Sequence, residues 1–158
     1  MVLSFFFTSL FWGGGVRIFL IQTYAVKDAV YYKSGLVPKG TLSNVSGITS
    51  FTASWNVRKL ADSNTGAYFN VGASSSDKTT FGQGGKNKIV YTPPWTEQSV
   101  NIGTNVDTEM VLTYTGSVFT LTCNSVSLSY SKVYASLDYW NIDYESNNSI
   151  SDLLIMPS

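Results

Sequence analysis

The segment 110–130, MVLTYTGSVFTLTCNSVSLSY, constrains the chain more than any other, because apolar and polar residues alternate along it in three short runs. A side-chain period of two marks a strand with one face on a core and the other in water. Gly116 reverses the first run into the second. In 118–123, Phe119, Leu121 and Cys123 share one face, and Thr120 and Thr122 take the other. The phase shifts at Asn124-Ser125, after which Val126, Leu128 and Tyr130 form the next apolar row. The pattern predicts a meander of three strands. Alternation returns in 139–144, with Trp140, Ile142 and Tyr144 inward and Tyr139, Asn141 and Asp143 outward. The polar turn 145–149 then leads into a last apolar strand over 150–156.

Upstream, 48–59 reads as a strong strand, with Phe51, Ala53, Trp55 and Val57 on the core face and Thr52, Ser54, Asn56 and Arg58 opposite. After a turn at 62–66, the segment 67–73 forms another strand, Phe69 and Val71 inward, Tyr68 and Asn70 outward. The polar, Gly-rich run 74–87 is expected to be a surface loop. A short strand over 88–92 is stopped by Pro93-Pro94, since proline cannot donate to a ladder. Trp95 follows on that stiffened loop, where it is either a clasp over one end of the molecule or an exposed stacking platform. A further short strand is expected over 99–103. The core set predicted from these phases is Trp55, Phe69, Phe119, Leu121, Trp140 and Ile142.

The order of a strand, a Gly turn, a strand rich in Thr and aromatics, an Asn-containing turn, then WNIDY and a closing ISDLLIM resembles the C-terminal half of concanavalin A-like jelly-roll sandwiches. That superfamily includes laminin-G-like modules, legume-type lectins and some glucanases. The resemblance covers the last third of the chain and, more loosely, 48–72. It implies an all-β, two-sheet antiparallel β-sandwich whose first and last strands lie side by side. The glucanase branch carries its acids on one strand as E-x-D-x-E or E-x-D-x-x-E, and no stretch here reads that way.

Composition points the same way. Aromatic residues make up 15% of the 158 and charged residues only 13%, which suits strands rather than solvated helices. That length, with no linker or internal repeat, predicts a single domain over 26–158. Residues 1–25 are strongly apolar and read either as a first strand, at 16–22, or as a signal-like segment. Gly13-Gly14-Gly15 and Arg17 interrupt them before they reach the length of a membrane span, so no membrane association is expected. Ten Lys and Arg balance ten Asp and Glu, without the basic patch a nucleic-acid binder needs.

The chain has no histidine and one cysteine. That closes histidine-dependent nucleophilic catalysis and Cys-rich zinc sites, and it reads Cys123 as a small buried apolar residue. Asp107 and Glu109, and likewise Asp143 and Glu145, are two apart and share a face, but each pair sits at a strand end and reads as solvated acids. Neither Asp62 with Asn64 nor Asp143 with Glu145 and Asn147 has the spacing of a calcium loop, so no metal and no cofactor are expected.

The outward faces carry the functional signal. Flat aromatic surfaces take the C–H faces of a sugar while Asn, Asp and Arg bond its hydroxyls. Asn56, Arg58, Tyr68, Asn70, Tyr139, Asn141 and Asp143 all fall opposite the predicted core, and they form one patch if their strands share a sheet. With Trp95 they are the expected ligand-binding set. The expected function is a non-catalytic recognition module for carbohydrate or a cell-surface receptor, acting as one copy among several in a homo-oligomer or array. The competing expectation is a structural decoration or tail protein of a virus particle. Either one places the chain outside the cell, at a cell surface or on a particle.

Overall fold

The computed structural model describes residues 29–60, 64–85 and 87–158. The apolar segment 1–25, the start of the turn at 62–66 and Lys86 lie outside the described residues. Twelve strands run in chain order: β1 Tyr31–Leu36, β2 Gly40–Thr41, β3 Phe51–Lys59, β4 Ala67–Gly72, β5 Lys78–Gln83, β6 Lys88–Thr92, β7 Thr96–Ser99, β8 Asp107–Tyr114, β9 Val118–Cys123, β10 Val126–Ser131, β11 Tyr139–Tyr144 and β12 Asn148–Pro157. They form two six-stranded sheets, sheet A in the order β1-β12-β3-β8-β9-β10 and sheet B in the order β2-β11-β4-β5-β6-β7. Every neighbouring pair is antiparallel. No helix among the described residues is long and apolar enough to cross a membrane.

The alternation that marks the strands also builds the core. Phe51 and Trp55 of β3 and Phe119 of β9 project from sheet A, and Phe69, Phe81 and Trp140 project from sheet B. The rings meet between the sheets. Phe51 lies 4.9 Å from Trp140, Trp55 lies 5.0 Å from Phe69, and Phe81 lies 4.9 Å from Phe119. All six residues predicted as core are at most 1% exposed. Cys123 is buried with them, and desolvation pushes its thiol up to about 11.

β12 does not end the sheet. It lies between β3 and β1, and both pairings shift register near Asp152. Asp152 has φ 54°, a left-handed conformation that a non-glycine residue holds only when its side chain is well bonded. Its carboxylate accepts the Gly35 amide at 2.7 Å and the Asn56 side-chain amide at 3.2 Å, which fastens β1 to the sheet across the bulge. The neighbour of the last strand is therefore 31–36, while the proposed strand at 16–22 lies outside the described residues.

Two expectations about sheet B need correction. The run 74–87 is not simply a loop, because Lys78–Gln83 is the central strand β5. Its inward residues are Thr79, Phe81 and Gln83, so two of the three core positions are polar and the period of two is hidden. Both residues find partners inside, through the Thr79 hydroxyl and the Gln83 amide nitrogen, while the Gln83 side-chain oxygen is buried without one. Thr79 Oγ1 meets the Tyr134 hydroxyl at 3.0 Å, and the Gln83 amide donates to the carbonyls of Thr65 at 3.1 Å and Gly85 at 2.5 Å. The second correction moves the strand expected at 99–103 to Thr96–Ser99. β6 ends at Thr92 as expected, Pro93-Pro94 sits in the hairpin that leads into β7, and Val100 and Ile102 are buried without belonging to a strand.

Candidate binding face on sheet B

Cross-strand register shows which side chains share the outer face of sheet B. One row is Asn141, Asn70, Thr80 and Thr92; the next is Asp143, Tyr68, Gly82, Val90 and Glu97; a third is Tyr139, Gly72 and Lys78. Five of the expected residues therefore do form one patch: Tyr68, Asn70, Tyr139, Asn141 and Asp143.

Asn56 and Arg58 do not join them. They lie on β3, and the outer face of sheet A is on the far side of the sandwich. Their side chains have other partners. Arg58 makes two bonds to Asp107, at 2.7 and 2.9 Å, and Asn56 donates to Asp152. Asp107 does stand exposed at a strand end, as the first residue of β8, but it is paired rather than simply solvated, directly opposite Arg58. The sequence cannot reveal this division, because outward phase is the same on both sheets.

Trp95 is largely exposed. It is 56% exposed at the β6–β7 hairpin, and its Cη2 stands 3.3 Å from where a Cβ at Gly84 would be. Beneath it, Val90 points to the outer face yet is fully buried and lies outside the main core cluster. A side chain at Gly84 would strike the Val90 methyl at 2.5 Å and crowd the edge of the indole, so this close approach requires glycine. Gln83 holds the other side of this arrangement, since its inward amide fixes the carbonyls of Thr65 and Gly85.

The indole is also fixed by hydrogen bonds. Trp95 Nε1 donates to Glu97 Oε2 at 3.1 Å, and Lys88 Nζ donates to Glu97 Oε1. The Lys88 bond first, and the Trp95 bond second, hold the Glu97 carboxyl below the ordinary carboxylate range. Opposite stands Tyr68, folded back over Gly66, where a Cβ would meet its hydroxyl at 2.0 Å. Burial, followed by the charges of Glu145 and Asp143, pushes its phenol up. Between Trp95 and Tyr68 opens a shallow cleft of about 210 Å³, lined also by Asn64, Gly84, Gly85, Lys88 and Glu97. That is below the ~300 Å³ at which pockets for drug-sized ligands begin, and it suits one flat ring.

Along the face from the cleft, Asn70 is only 7% exposed. Its amide donates to Asn141 Oδ1 at 3.1 Å, and its carbonyl oxygen accepts Thr80 Oγ1 at 2.6 Å. Asn70 is thereby a positioning residue that turns the Asn141 amide N–H groups toward solvent. Asp143 is exposed, 4.0 Å from Lys39.

The sequence reading missed Lys88, Glu97, Asn64, Gly84 and Gly85. One signal was present: Trp95 and Glu97 are two apart and so share a face once the Pro-Pro pair is read as a hairpin turn.

No protein-family model and no curated protein sequence matches the chain. Solved structures do. A homodimeric agglutinin from chicken liver superposes with a TM-score of 0.58 at 11% identity, over 75% of this chain and 99% of the agglutinin. A galectin of Caenorhabditis elegans superposes with a TM-score of 0.60 at 9% identity, over 84% and 99%. The chain has the jelly-roll β-sandwich fold of these structures. Another jelly roll with the same architecture is an alginate lyase of polysaccharide lyase family 7, at a TM-score of 0.52 and 13% identity, over 73% of this chain and 63% of the lyase. At these identities the likeness establishes the jelly roll and nothing finer.

Proposed function

We propose that the outer face of sheet B binds carbohydrate, with one sugar ring stacked on Trp95 in the cleft shared with Tyr68. The observation that carries this reading is the exposed Trp95 indole, tethered through Nε1 to Glu97, which Lys88 holds in turn, at the rim of the cleft shared with Tyr68. A large aromatic surface costs little to desolvate and much to hold still, so one already immobilised in the free protein is set up for a flat apolar partner. Around it, Asn64, Lys88 and the Tyr68 hydroxyl supply donors and Glu97 supplies an acceptor, the mixture a polyhydroxylated ring requires. The galectin and agglutinin names among the structural neighbours agree with a sugar-binding module.

The same cleft supports binding over catalysis. A general acid or base works best with a pKa near the working pH. Glu97 is driven the other way by two donors and stays a carboxylate, while Tyr68 is raised and stays a phenol. The chain has no histidine to take their place. We read the protein as non-catalytic, despite the lyase among its neighbours, and place it where glycans are displayed, outside the cell or on a particle surface. A single shallow cleft binds weakly, so a homo-oligomer would gain by avidity.

A glycan array with the full chain, followed by titration calorimetry on the best ligand, tests the reading. Trp95→Ala is expected to weaken binding by at least about tenfold, the loss of one stacking contact of roughly 1.4 kcal/mol. Its melting temperature should fall by only a few degrees, because more than half of the ring is already in water. Undiminished binding in this variant would remove the cleft from consideration.

A further inference from the structure

Lys78 and Tyr139 sit at the opposite end of the same face and have no part in the cleft. They share a row with Gly72 between them, on β5 and β11 respectively. Strands that flank a third lie about 9–10 Å apart. Side chains at that separation meet only if the middle position is bare. Gly72 is bare of necessity, since a Cβ there would lie 2.2 Å from the Asp77 carbonyl and 2.5 Å from the Lys78 Cα. Lys78 Nζ crosses the gap and stands 5.4 Å from the centre of the Tyr139 ring.

Lys78 is held over an outward ring of this face without an acid beside it. Four other cations are matched by acids: Lys39 with Asp143, Arg58 with Asp107, Lys88 with Glu97 and Lys132 with Asp77. Among the described residues no carboxylate lies within ion-pair distance of Lys78. The nearby acids are committed. Asp77 holds Lys132 at 2.9 Å, and Asp138 accepts the Gly47 amide at 2.8 Å. A tyrosine face steadies an ammonium without neutralising it, so its N–H donors and its full charge remain available to a ligand.

We propose that Lys78 and Tyr139 form a second subsite, which binds the anionic group of an acidic sugar chain whose first ring lies on Trp95. This rests on the carbohydrate reading of the same face. Gly84, under the indole, is six residues along the chain from Lys78, about 20 Å in an extended strand, with the outward Asn141 amide between. The ligand is therefore a chain of several rings carrying a carboxylate or a sulfate well away from the stacked end. Tyr139 provides a platform for the ring that bears the anion, and Lys78 a charge-assisted hydrogen bond.

The test uses one array carrying matched glycans in three forms: uncharged, carboxylate-bearing (sialic or uronic acid) and sulfate-bearing. Wild type, Lys78→Gln and Trp95→Ala are compared on it at low and physiological salt. The wild type is expected to prefer an acidic form about tenfold over its neutral match, the scale of one charge-assisted contact. Lys78→Gln should abolish that preference, and its salt dependence, while neutral binding stays at the wild-type level. Which acid form is preferred identifies the anion as carboxylate or sulfate. Equal binding of neutral and acidic forms, or a preference that survives in Lys78→Gln, overturns the subsite and leaves the Trp95 cleft standing. Retention of no glycan by the wild type overturns both.

Discussion

Trp140→Ala tests the phase on which the whole face depends. The side chain is fully buried, so by area alone its 150–250 Å² at ~25 cal/mol/Å² is worth about 4–6 kcal/mol, and alanine retains the Cβ share. Measured truncations of buried tryptophan cost ~3–5 kcal/mol. Two local losses push toward the upper end of that range. The ring stands 4.9 Å edge-on to Phe51 and 5.8 Å from Phe69, contacts that a void replaces. Its Nε1 donates to the carbonyl of buried Leu137 at 3.1 Å, and an abandoned buried acceptor costs ~1–3 kcal/mol. Against a total stability of about 5–15 kcal/mol, the variant should be barely folded. With a urea slope of ~2 kcal/mol per molar, the midpoint should drop by about 2 M. Trp140→Phe keeps a ring against Phe51 and Phe69 but loses the Leu137 bond, so it should fall between the two. Urea titration followed by fluorescence and far-UV circular dichroism reads all three. A wild-type midpoint in Trp140→Ala would mean that β11 faces the other way, placing Tyr139, Asn141 and Asp143 in the core and removing the binding face.

Two further outcomes are expected. Asn56→Ala with Arg58→Ala should leave glycan binding unchanged, because both residues lie on sheet A and bond Asp152 and Asp107; reduced affinity on the array would place the ligand on the wrong side of the sandwich. Stability should fall in acid: Asp107, Asp152 and Glu97 are all lowered, chiefly by bonds from Arg58, the Gly35 amide and Lys88. A depressed carboxylate stabilises the fold above its unfolded pKa, and the contribution is lost as pH falls through the folded value. Urea midpoints should therefore hold steady down to about pH 5 and decline below it, and a midpoint that rises on acidification would contradict the bonding.

The sequence is most legible where apolar and polar residues strictly alternate. In 51–58 of β3, 119–123 of β9 and 139–143 of β11 each inward position is aromatic, aliphatic or cysteine and nearly every outward one polar, so phase and burial could be read directly, while the buried Lys59 at the end of β3 breaks the pattern. β5 could not, because Thr79 and Gln83 face inward and Gly82 outward, and only Phe81 kept the expected character. Its inward polar groups are tolerable only because of partners far away in the chain: Tyr134 for Thr79 and Thr65 for Gln83. The site was half legible for a related reason. Outward phase is local and was right for Tyr68, Tyr139, Asn141 and Asp143, but membership of a sheet is a property of strand order. Strand order put β3 in one layer and β4 and β11 in the other.

The two outer faces have similar residues and differ in what those residues leave unbonded. On sheet A the polar groups satisfy one another across the strands: Arg58 with Asp107, Asn56 with Asp152, Thr120 with Ser129 at 3.3 Å, and Thr122 with Ser127 at 2.9 Å. A ligand arriving there would have to displace those bonds for contacts of equal strength, at no net gain. On sheet B the internal bonds act to present groups rather than to use them up. Asn70 is spent in orienting Asn141, Glu97 in fixing the Trp95 indole, and Gly72 in letting Lys78 reach Tyr139. What remains open is an aromatic face, an amide, a phenol hydroxyl and an ammonium, held by neighbours that have already met the ordering cost. Unused bonding capacity on a preorganised support, rather than polar composition, is what distinguishes a binding face from a solvated one.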